Sequence, residues 1–560
     1  MNPVWQQGYY LWGQGLGVSA AMAAVPMLLL LYLLAVARKP AWVAGLAGLG
    51  ATLVLAVAGY HMPVPLALNS AAYGAAFGLF PISWIIFWAI VLYNVTVETG
   101  KFEVIRNSIG SLTSDLRLQA LIIAFGFGAF IEGAAGFGTP VAVAGAMMVG
   151  LGFSPYFASA LCLLANTAPV AFGSIGIPVI TLAGVTGLPL ARLSGVVGRL
   201  CAPISFILPA YLILTMGGIR ATLEVWPAVL VAGGVFASVQ FCVSNFVGAQ
   251  LTDILASLTA IGALVALVRL WKPRVSTGPG SSGAFSLSGP LRQGEPLHLG
   301  AAMTSNTRKY SAGEIVAAWM PYVFLVVFVL LWGFKPLLAV LDKATLSLSW
   351  PLLNNLVLRT PPVMTAPSLY PAIFKLNFLS ASGSSCMFAT LLSVLFLRMP
   401  AKQFLRVLLA TSRQLAFPIL TVVSVLSLAF VMNYCGATGT LGLAFAATGV
   451  VFPFFSPFLG WLGVFLTGSD TSSNALFGAL QVVTARRLAL SPFLIAAANS
   501  AGGVMGKMIS LQSIAVAAAA TGVTVKQQAK LLRFTLKHSI ILAALVGVEV
   551  LIYAYLYRIV

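Results

Sequence analysis

Apolar runs of about twenty residues recur from one end of this 560-residue chain to the other, and that is the length an α-helix needs to cross the hydrocarbon of a bilayer. Runs such as "VPMLLLLYLLAVA" and "YVFLVVFVLLWGF" are apolar on every face, whereas the strands of a membrane barrel are short and alternate in polarity. Hydrophobic residues supply 60% of the sequence and charged ones 7%, too few charges to cover a soluble globule. The expected fold class is an all-α polytopic membrane protein.

The pattern predicts about twelve spans, over residues 18–37, 41–60, 81–97, 156–185, 197–217, 224–247, 249–270, 313–340, 377–397, 414–434, 493–520 and 536–557. Two further apolar stretches, about 118–151 and 461–485, are interrupted near their middles by Gly, Ser, Thr and an acid. They read as re-entrant hairpins, because irregular backbone at membrane depth is tolerated only against protein or a water-filled cavity. Residues 273–311 are rich in Gly, Ser and Pro and read as a flexible cytoplasmic linker. It separates a first membrane half, 1–272, with its hairpin and the broken span 156–185, from a second, 312–560, with its hairpin and the broken span 493–520. Residues 341–376 are expected to form an outer loop.

A net charge of +19 would suit a nucleic-acid binder, but the basic residues are spread over connecting segments and gather on no single domain. Orientation explains them better. With both termini outside, most of the 30 Lys and Arg fall on the cytoplasmic side, as the positive-inside rule requires, although Arg486 and Arg487 run against it. No Lys or Arg precedes Arg38, so the first run is expected to remain as a span and not to act as a cleaved signal. Five scattered Cys and three isolated His form neither a disulfide framework nor a metal site, and no cofactor is implied.

The halves echo each other in order. "NVTVETG" at Asn94 pairs with "NYCGATG" at Asn433, "GAFIEG" at Gly128 with "GVFLTG" at Gly463, "SPYF" at Ser154 with "SPFL" at Ser491, and "ANTAP" at Ala165 with "ANSAG" at Ala498. All four separations fall between 333 and 339 residues, which points to a duplication. The threading gives the copies opposite orientation, and inverted-topology repeats with discontinuous helices are a transporter signature.

Each hairpin carries an acid, Glu132 in "FIEGAAGFGTP" and Asp470 in "TGSDTSSN". A carboxylate at the centre of a span costs about 2.5–3.5 kcal/mol, so both are functional candidates. Gly133 and Gly136 permit a tight reversal and close backbone approach, and Thr139, Ser469, Thr471 and Ser472 add hydroxyls at the two bends. Beyond the hairpins, the spans holding Asn166 and Thr167, and Asn499 and Ser500, are broken by Gly and Pro. Broken helices free N–H donors for an anion and carbonyls for a cation. Lys507 falls mid-span, where its ammonium reaches neither interface, and calls for an anionic partner: a permanent one in Asp470 or Glu132, or a transported carboxylate.

Through "FGAFIEGAAGFGTPVAVAGAMMVGLGFSP", "ANTAPVAFGSIGIPV", "FSPFLGWLGVFLTGSDTSSNALFGALQ" and "GGVMGKMIS", the sequence resembles the L-lactate permease family, which includes glycolate permeases. Thr139 and Leu511 depart from the alanine and proline expected there. The resemblance implies a symporter of the bacterial inner membrane taking up L-lactate, D-lactate or glycolate with a proton. Asn166, Thr167, Asn499 and Ser500 would then bind the carboxylate and hydroxyl, Lys507 would complement the anion, and Asp470 or Glu132 would carry the proton. Sodium coupling is the alternative, and a channel a more distant one. An enzyme is not expected, since neither HExxH nor a nucleophile paired with a base occurs.

Overall fold

The computed structural model describes residues 4–110, 112–136, 138–273, 310–364 and 366–556. Apart from its ends, the expected linker over 273–311 lies outside the described residues.

Before residue 273 run α1 (Leu16–Ala35), α2 (Ala41–Val54), α3 (Val64–Phe77), α4 (Trp84–Glu98), α5 (Lys101–Gly110), α6 (Leu116–Gln119), α7 (Gly128–Ala134), α8 (Thr139–Gly150), α9 (Pro155–Ala165), α10 (Gly173–Thr186), α11 (Leu190–Glu224), α12 (Trp226–Phe246) and α13 (Thr252–Leu270). A wider π-helical stretch, Ala120–Phe127, joins α6 to α7. After residue 310 come α14 (Ala312–Gly333), α15 (Lys335–Leu341), α16 (Ser382–Phe396), α17 (Ala401–Cys435), α18 (Ala437–Ala446), α19 (Phe452–Thr467), α20 (Asp470–Arg487), α21 (Pro492–Lys507), α22 (Leu511–Thr521) and α23 (Val525–Tyr555).

Among the described residues twelve helices are long and apolar enough to cross a membrane, so this is a multi-pass helical membrane protein. The count agrees with the sequence reading while the membership differs. The first arms of the two hairpins, Leu116–Ala134 and Gly449–Thr467, are each 19 residues long and qualify by themselves. The expected span 377–397 is a helix of 15 residues, about 22 Å at 1.5 Å per residue, short of the roughly 30 Å of hydrocarbon. The helix α3 was not anticipated, because Asn69, Ser70 and Tyr73 interrupt its apolar sequence. Ser70 spends its hydroxyl on the Leu66 carbonyl at 2.7 Å within the helix.

Polarity is arranged inside out. Phe246, Leu270 and Leu395 lie on the outer surface, while Asn474, Asn499 and Ser500 are fully enclosed. Lipid-facing helices show the same thing: 33% of the apolar window of Leu16–Leu34 is buried against 94% for Leu116–Ala134. The hairpin arm with irregular winding is therefore shielded by protein, as its backbone requires.

The two halves interlock at the centre. The helix after the break in the first half, α10, packs on the second hairpin's α20, and α22 from the second half packs on the first hairpin's α8. Matching caps recur as well: Ser154 accepts from Phe157 N and Ser491 from Leu494 N, each followed by proline in the first helical turn.

Residues 341–376, about which the sequence said little, hold short strands: β2 (Leu346–Ser349), β3 (Val357–Arg359), β4 (Ser368–Leu369) and β5 (Ile373–Leu376). The N-terminal strand β1 (Trp5–Gln6) pairs in parallel with β3, so the start of the chain is tied to the second half.

Candidate functional site

The first hairpin brings Glu132 into the protein's interior, at 4% exposure and with no hydrogen-bond partner for Oε2. Between α7 and α8 the chain reverses with Gly136 at φ 64° and Gly138 at φ 83°, a left-handed conformation that side chains disfavour. A Cβ on Gly173 would come within 2.6 Å of Glu132 Oε1, so only glycine lets α10 begin against this carboxyl. Just beyond, Ser174, Ile175 and Gly176 have φ of 47°, 61° and 76°. For the β-branched Ile175 that is strained, at a cost of about 1–3 kcal/mol. Complete burial of Ile175 and a 2.9 Å bond from Ser174 Oγ to the Ala135 carbonyl hold it there.

The second hairpin turns at Gly468, φ 72°, and Ser469 caps α20 by accepting from Ser472 N at 3.2 Å. Asp470 follows, 3% exposed. Its Oδ2 accepts from Ser500 Oγ at 2.6 Å and Asn474 Nδ2 at 3.2 Å, while Oδ1 has no partner. Asn499 Nδ2 donates to Asn474 Oδ1 at 2.9 Å, and Gln481 Nε2 donates to Asn499 Oδ1 at 3.2 Å. That buried relay fixes Asn474, which also donates to the Pro178 carbonyl of the first half at 3.2 Å.

Lys507 ends α21, 8% exposed, and its Nζ donates to the Gly468 carbonyl at 2.7 Å. Among the described residues no carboxylate oxygen lies within 4.0 Å of it. The ammonium thus rests where the carbonyl ends of α19 and α21 meet, a position that favours positive charge, with no permanent ion partner.

Glu132, Asp470 and Lys507 face one cavity of about 60 Å³, whose wall also includes Gly173, Ser174, Pro178, Gly468, Ser469, Thr471 and Gln512. Since about 10–15 Å³ of such space holds one water, there is room for roughly four to six water-sized groups. Among the described residues Lys507 is the only basic side chain on the wall, and the N-terminal residues of α20 and the start of α10 border the same space. Helix N-termini and one ammonium favour an anion; two carboxyls can hold or release protons.

Of the residues chosen from sequence, the structure brings Glu132, Ser469, Asp470, Thr471 and Lys507 to the wall. Ser500 and Asn499 stand behind it in the Asp470 relay, and Ser472 is buried in the cap. Gly136 and Thr139 serve the hairpin turn, where Thr139 Oγ1 donates to the Gly136 carbonyl at 2.6 Å, and Gly133 faces α13. Asn166 sits beside Glu132 without meeting hydrogen-bond geometry, and both its side-chain heteroatoms are unpaired. Thr167 turns back to the Leu164 carbonyl at 2.7 Å.

The broken spans are unequal. In the first half the chain bends by 66° between Pro155–Ala165 and Val170–Thr186, directly after Asn166. In the second half α21 runs unbroken through Asn499 and Ser500, and the interruption comes at residues 508–510. The glycines that suggested an earlier break serve close packing instead: a Cβ on Gly502 or Gly506 would strike the Pro457 or Trp461 carbonyl of α19, and one on Gly503 would strike Asp470 Oδ1. Gly173, Ser174 and Gln512 were visible only as residues near breaks. Asn474, which positions the acid, was visible only as the last residue of "TGSDTSSN", and Gln481, which acts through Asn499, gave no signal beyond being an amide in apolar surroundings.

Fold and site together define the class, a multi-pass membrane permease with its charged groups enclosed at the meeting of two halves. The family model described as L-lactate permease matches residues 19–557. Glycolate permease GlcA of Escherichia coli K12 is 44% identical over 564 residues, covering 99% of this chain and 98% of that protein. The L-lactate permease of the same strain is 44% identical over 558 residues, covering 99% and 98%, and that of Bacillus subtilis 44% identical over 560 residues, covering 97% of each. The chain belongs to the L-lactate permease family. Among solved structures, the Alcanivorax borkumensis YdaH transporter aligns with a TM-score of 0.43 and 14% identity over 87% of this chain and 86% of that one.

Proposed function

We propose that this protein is a proton-coupled symporter that takes up L-lactate and related 2-hydroxymonocarboxylates, D-lactate and glycolate among them, across the bacterial inner membrane. The observation that carries the reading is Lys507: a buried ammonium bonded to the Gly468 carbonyl, facing a cavity, with no carboxylate partner within 4.0 Å among the described residues. The names of the 44%-identical relatives supply the substrate class. Size agrees: glycolate has five non-hydrogen atoms and lactate six, against roughly four to six water-sized groups in about 60 Å³.

Coupling follows from charge balance in a low-dielectric site. An uncompensated ion there costs several kcal/mol. With the cavity empty, Lys507 is balanced by one ionised acid, Asp470 or Glu132. When a monocarboxylate enters, it takes over that role, and the acid must accept a proton. One proton then travels with one anion and no net charge moves. In this reading Ser469, Thr471 and Ser174, which line the cavity, hold the substrate's oxygen atoms, while Asn474 and Ser500 hold Asp470 and Asn499 holds Asn474.

Two inverted halves moving around this cavity, with hairpins that re-enter the membrane, both termini outside and a cytoplasmic linker, complete the reading. The reciprocal packing of α10 on α20 and α22 on α8 supports the repeat, as do the paired Ser-Pro caps. Labelled lactate and glycolate in proteoliposomes test it. Saturable counterflow is expected, and Asp470→Asn should lose uptake driven by a pH gradient while exchange of lactate for lactate continues. Full pH-driven uptake in Asp470→Asn would remove that acid from the role, and unsaturable flux would indicate a channel.

A further inference from the structure

We propose that Gln512 is the residue that selects 2-hydroxy acids, its amide binding the hydroxyl on C2 while Lys507 holds the carboxylate beside it. The inference rests on the monocarboxylate reading above and deepens it, since it names the group that tells lactate from propionate.

Gln512 comes just after the break that ends α21. Ser510 caps α22, accepting from Ser513 N at 3.1 Å and donating to Ser513 Oγ at 2.7 Å, so Gln512 is the second residue of a new helix. Residues four apart share a helix face, and with this face α22 meets the reversals of both hairpins. Gln512 lies across Gly468 of the second hairpin, where a Cβ would stand 2.5 Å from Gln512 Oε1 and 3.1 Å from its Cβ. Val516 lies beside Gly138 of the first, where a Cβ would stand 3.6 Å from Val516 Cγ1. Gly468 is thus required twice over, by its φ of 72° and by the side chain that rests on it.

The same glycine ties Gln512 to the ion. Lys507 Nζ donates to the Gly468 carbonyl at 2.7 Å, so ammonium and amide sit against a single residue, and both line the cavity. In a 2-hydroxy acid the hydroxyl is carried by the carbon next to the carboxylate. A substrate whose carboxylate is drawn to Lys507 therefore brings that hydroxyl to the neighbourhood of Gly468.

The other hydroxyls of the wall are differently occupied. Ser174 Oγ gives its hydrogen to the Ala135 carbonyl at 2.9 Å, and Ser469 Oγ accepts from Ser472 N at 3.2 Å. The Thr471 hydroxyl and the Gln512 amide make no hydrogen bond among the described residues. A carboxylate only accepts, a need that Lys507 meets with its remaining hydrogens, whereas a hydroxyl both donates and accepts. An amide answers it with donor and acceptor on separate atoms, and Gln512 is the one amide of the wall among the described residues. It is exposed while Glu132, Asp470 and Lys507 are enclosed, so it forms the accessible edge of the same space. Carrying no charge, it reads the hydroxyl without entering the exchange of charge between substrate and acid.

Displacement of labelled lactate from the purified full-length protein, at one pH, by unlabelled lactate, glycolate, propionate and acetate tests this. Lactate and propionate differ only in the hydroxyl, as do glycolate and acetate. The wild type should prefer each hydroxy acid to its counterpart. Gln512→Met keeps the length and removes the amide; it should weaken lactate and glycolate roughly three- to tenfold, the worth of one hydrogen bond, and propionate and acetate by less than about twofold. Gln512→Ala carries the same prediction and keeps the test open if the methionine variant does not fold. An undiminished preference in these variants, or equal losses for acids with and without the hydroxyl, overturns the assignment. So does a preference abolished by Thr471→Val and kept in the Gln512 variants, which would give the hydroxyl to Thr471. A wild type that binds all four acids alike refutes selection by Gln512 and leaves monocarboxylate transport standing, whereas a wild type that binds no lactate refutes the transport reading itself.

Discussion

Replacing Lys507 with methionine separates the role of its charge from the role of its bulk. The side chain is 8% exposed and spends one hydrogen on the Gly468 carbonyl at 2.7 Å. Methionine fills nearly the same length without the ammonium. Losing the charge-assisted bond costs about 1.5–3 kcal/mol, but the burden of burying an ammonium disappears with it, so the melting temperature should change little. Anion binding should change greatly. Removing one partner of a buried, hydrogen-bonded charge pair costs about 2–5 kcal/mol, equivalent to roughly thirty-fold to several-thousand-fold weaker binding at about 1.4 kcal/mol per decade. Equilibrium binding of labelled lactate to purified protein measures it, with Lys507→Arg expected to recover part of the loss. A methionine variant that binds within about threefold of wild type would refute the claim that this ammonium holds the substrate.

Two further substitutions probe the scaffold. Arg117 is fully buried and bonded to Asp115 at 2.9 Å and Glu224 at 2.6 Å; Arg117→Met takes the buried cation from Asp115, while Glu224 keeps Arg220 at 3.5 Å, and should cost about 3 kcal/mol, lowering the melting temperature. Its position fifteen residues, about 22 Å of helix, from Glu132 predicts unchanged lactate affinity in the protein that still folds, measured by the same binding assay. Gly502→Ala would drive a Cβ into the Pro457 carbonyl, an overpacking of about 1–3 kcal/mol that pushes α21, and Ser500 with it, away from Asp470. Thermal stability and pH-driven uptake should fall together.

How much of this was visible in the sequence depends on the length scale of each signal. Membrane class, the approximate number of spans and the two glycine-rich acidic bends were legible because apolar runs and buried charges stand out locally. Glu132, Asp470 and Lys507 were found for that reason, and they share one cavity. What the sequence hid is what glycine can mean. In α21 the run around Gly502, Gly503 and Gly506 reads as a helix breaker, yet each glycine faces a backbone carbonyl or Asp470 across a helix contact, and the break falls later. Asn166 and Asn499 look alike in their motifs, but one ends a helix just before a bend and the other lies within a continuous helix. Nothing in the neighbourhood of Asp253 along the chain reveals that Gly133 of the first hairpin packs against it. The strands of residues 341–376 were missed because two to four residues per strand carry too little alternation to register.

The most direct test of the account is accumulation of labelled lactate in proteoliposomes under three gradients imposed one at a time. A proton gradient, alkaline inside, should by itself drive uptake, approaching tenfold accumulation for each pH unit, about 1.4 kcal/mol. A membrane potential alone, or a sodium gradient alone, should drive none, because one anion and one proton carry no net charge. Accumulation powered by sodium or by voltage with no pH difference would contradict the exchange of charge between substrate and buried carboxyl on which the mechanism stands.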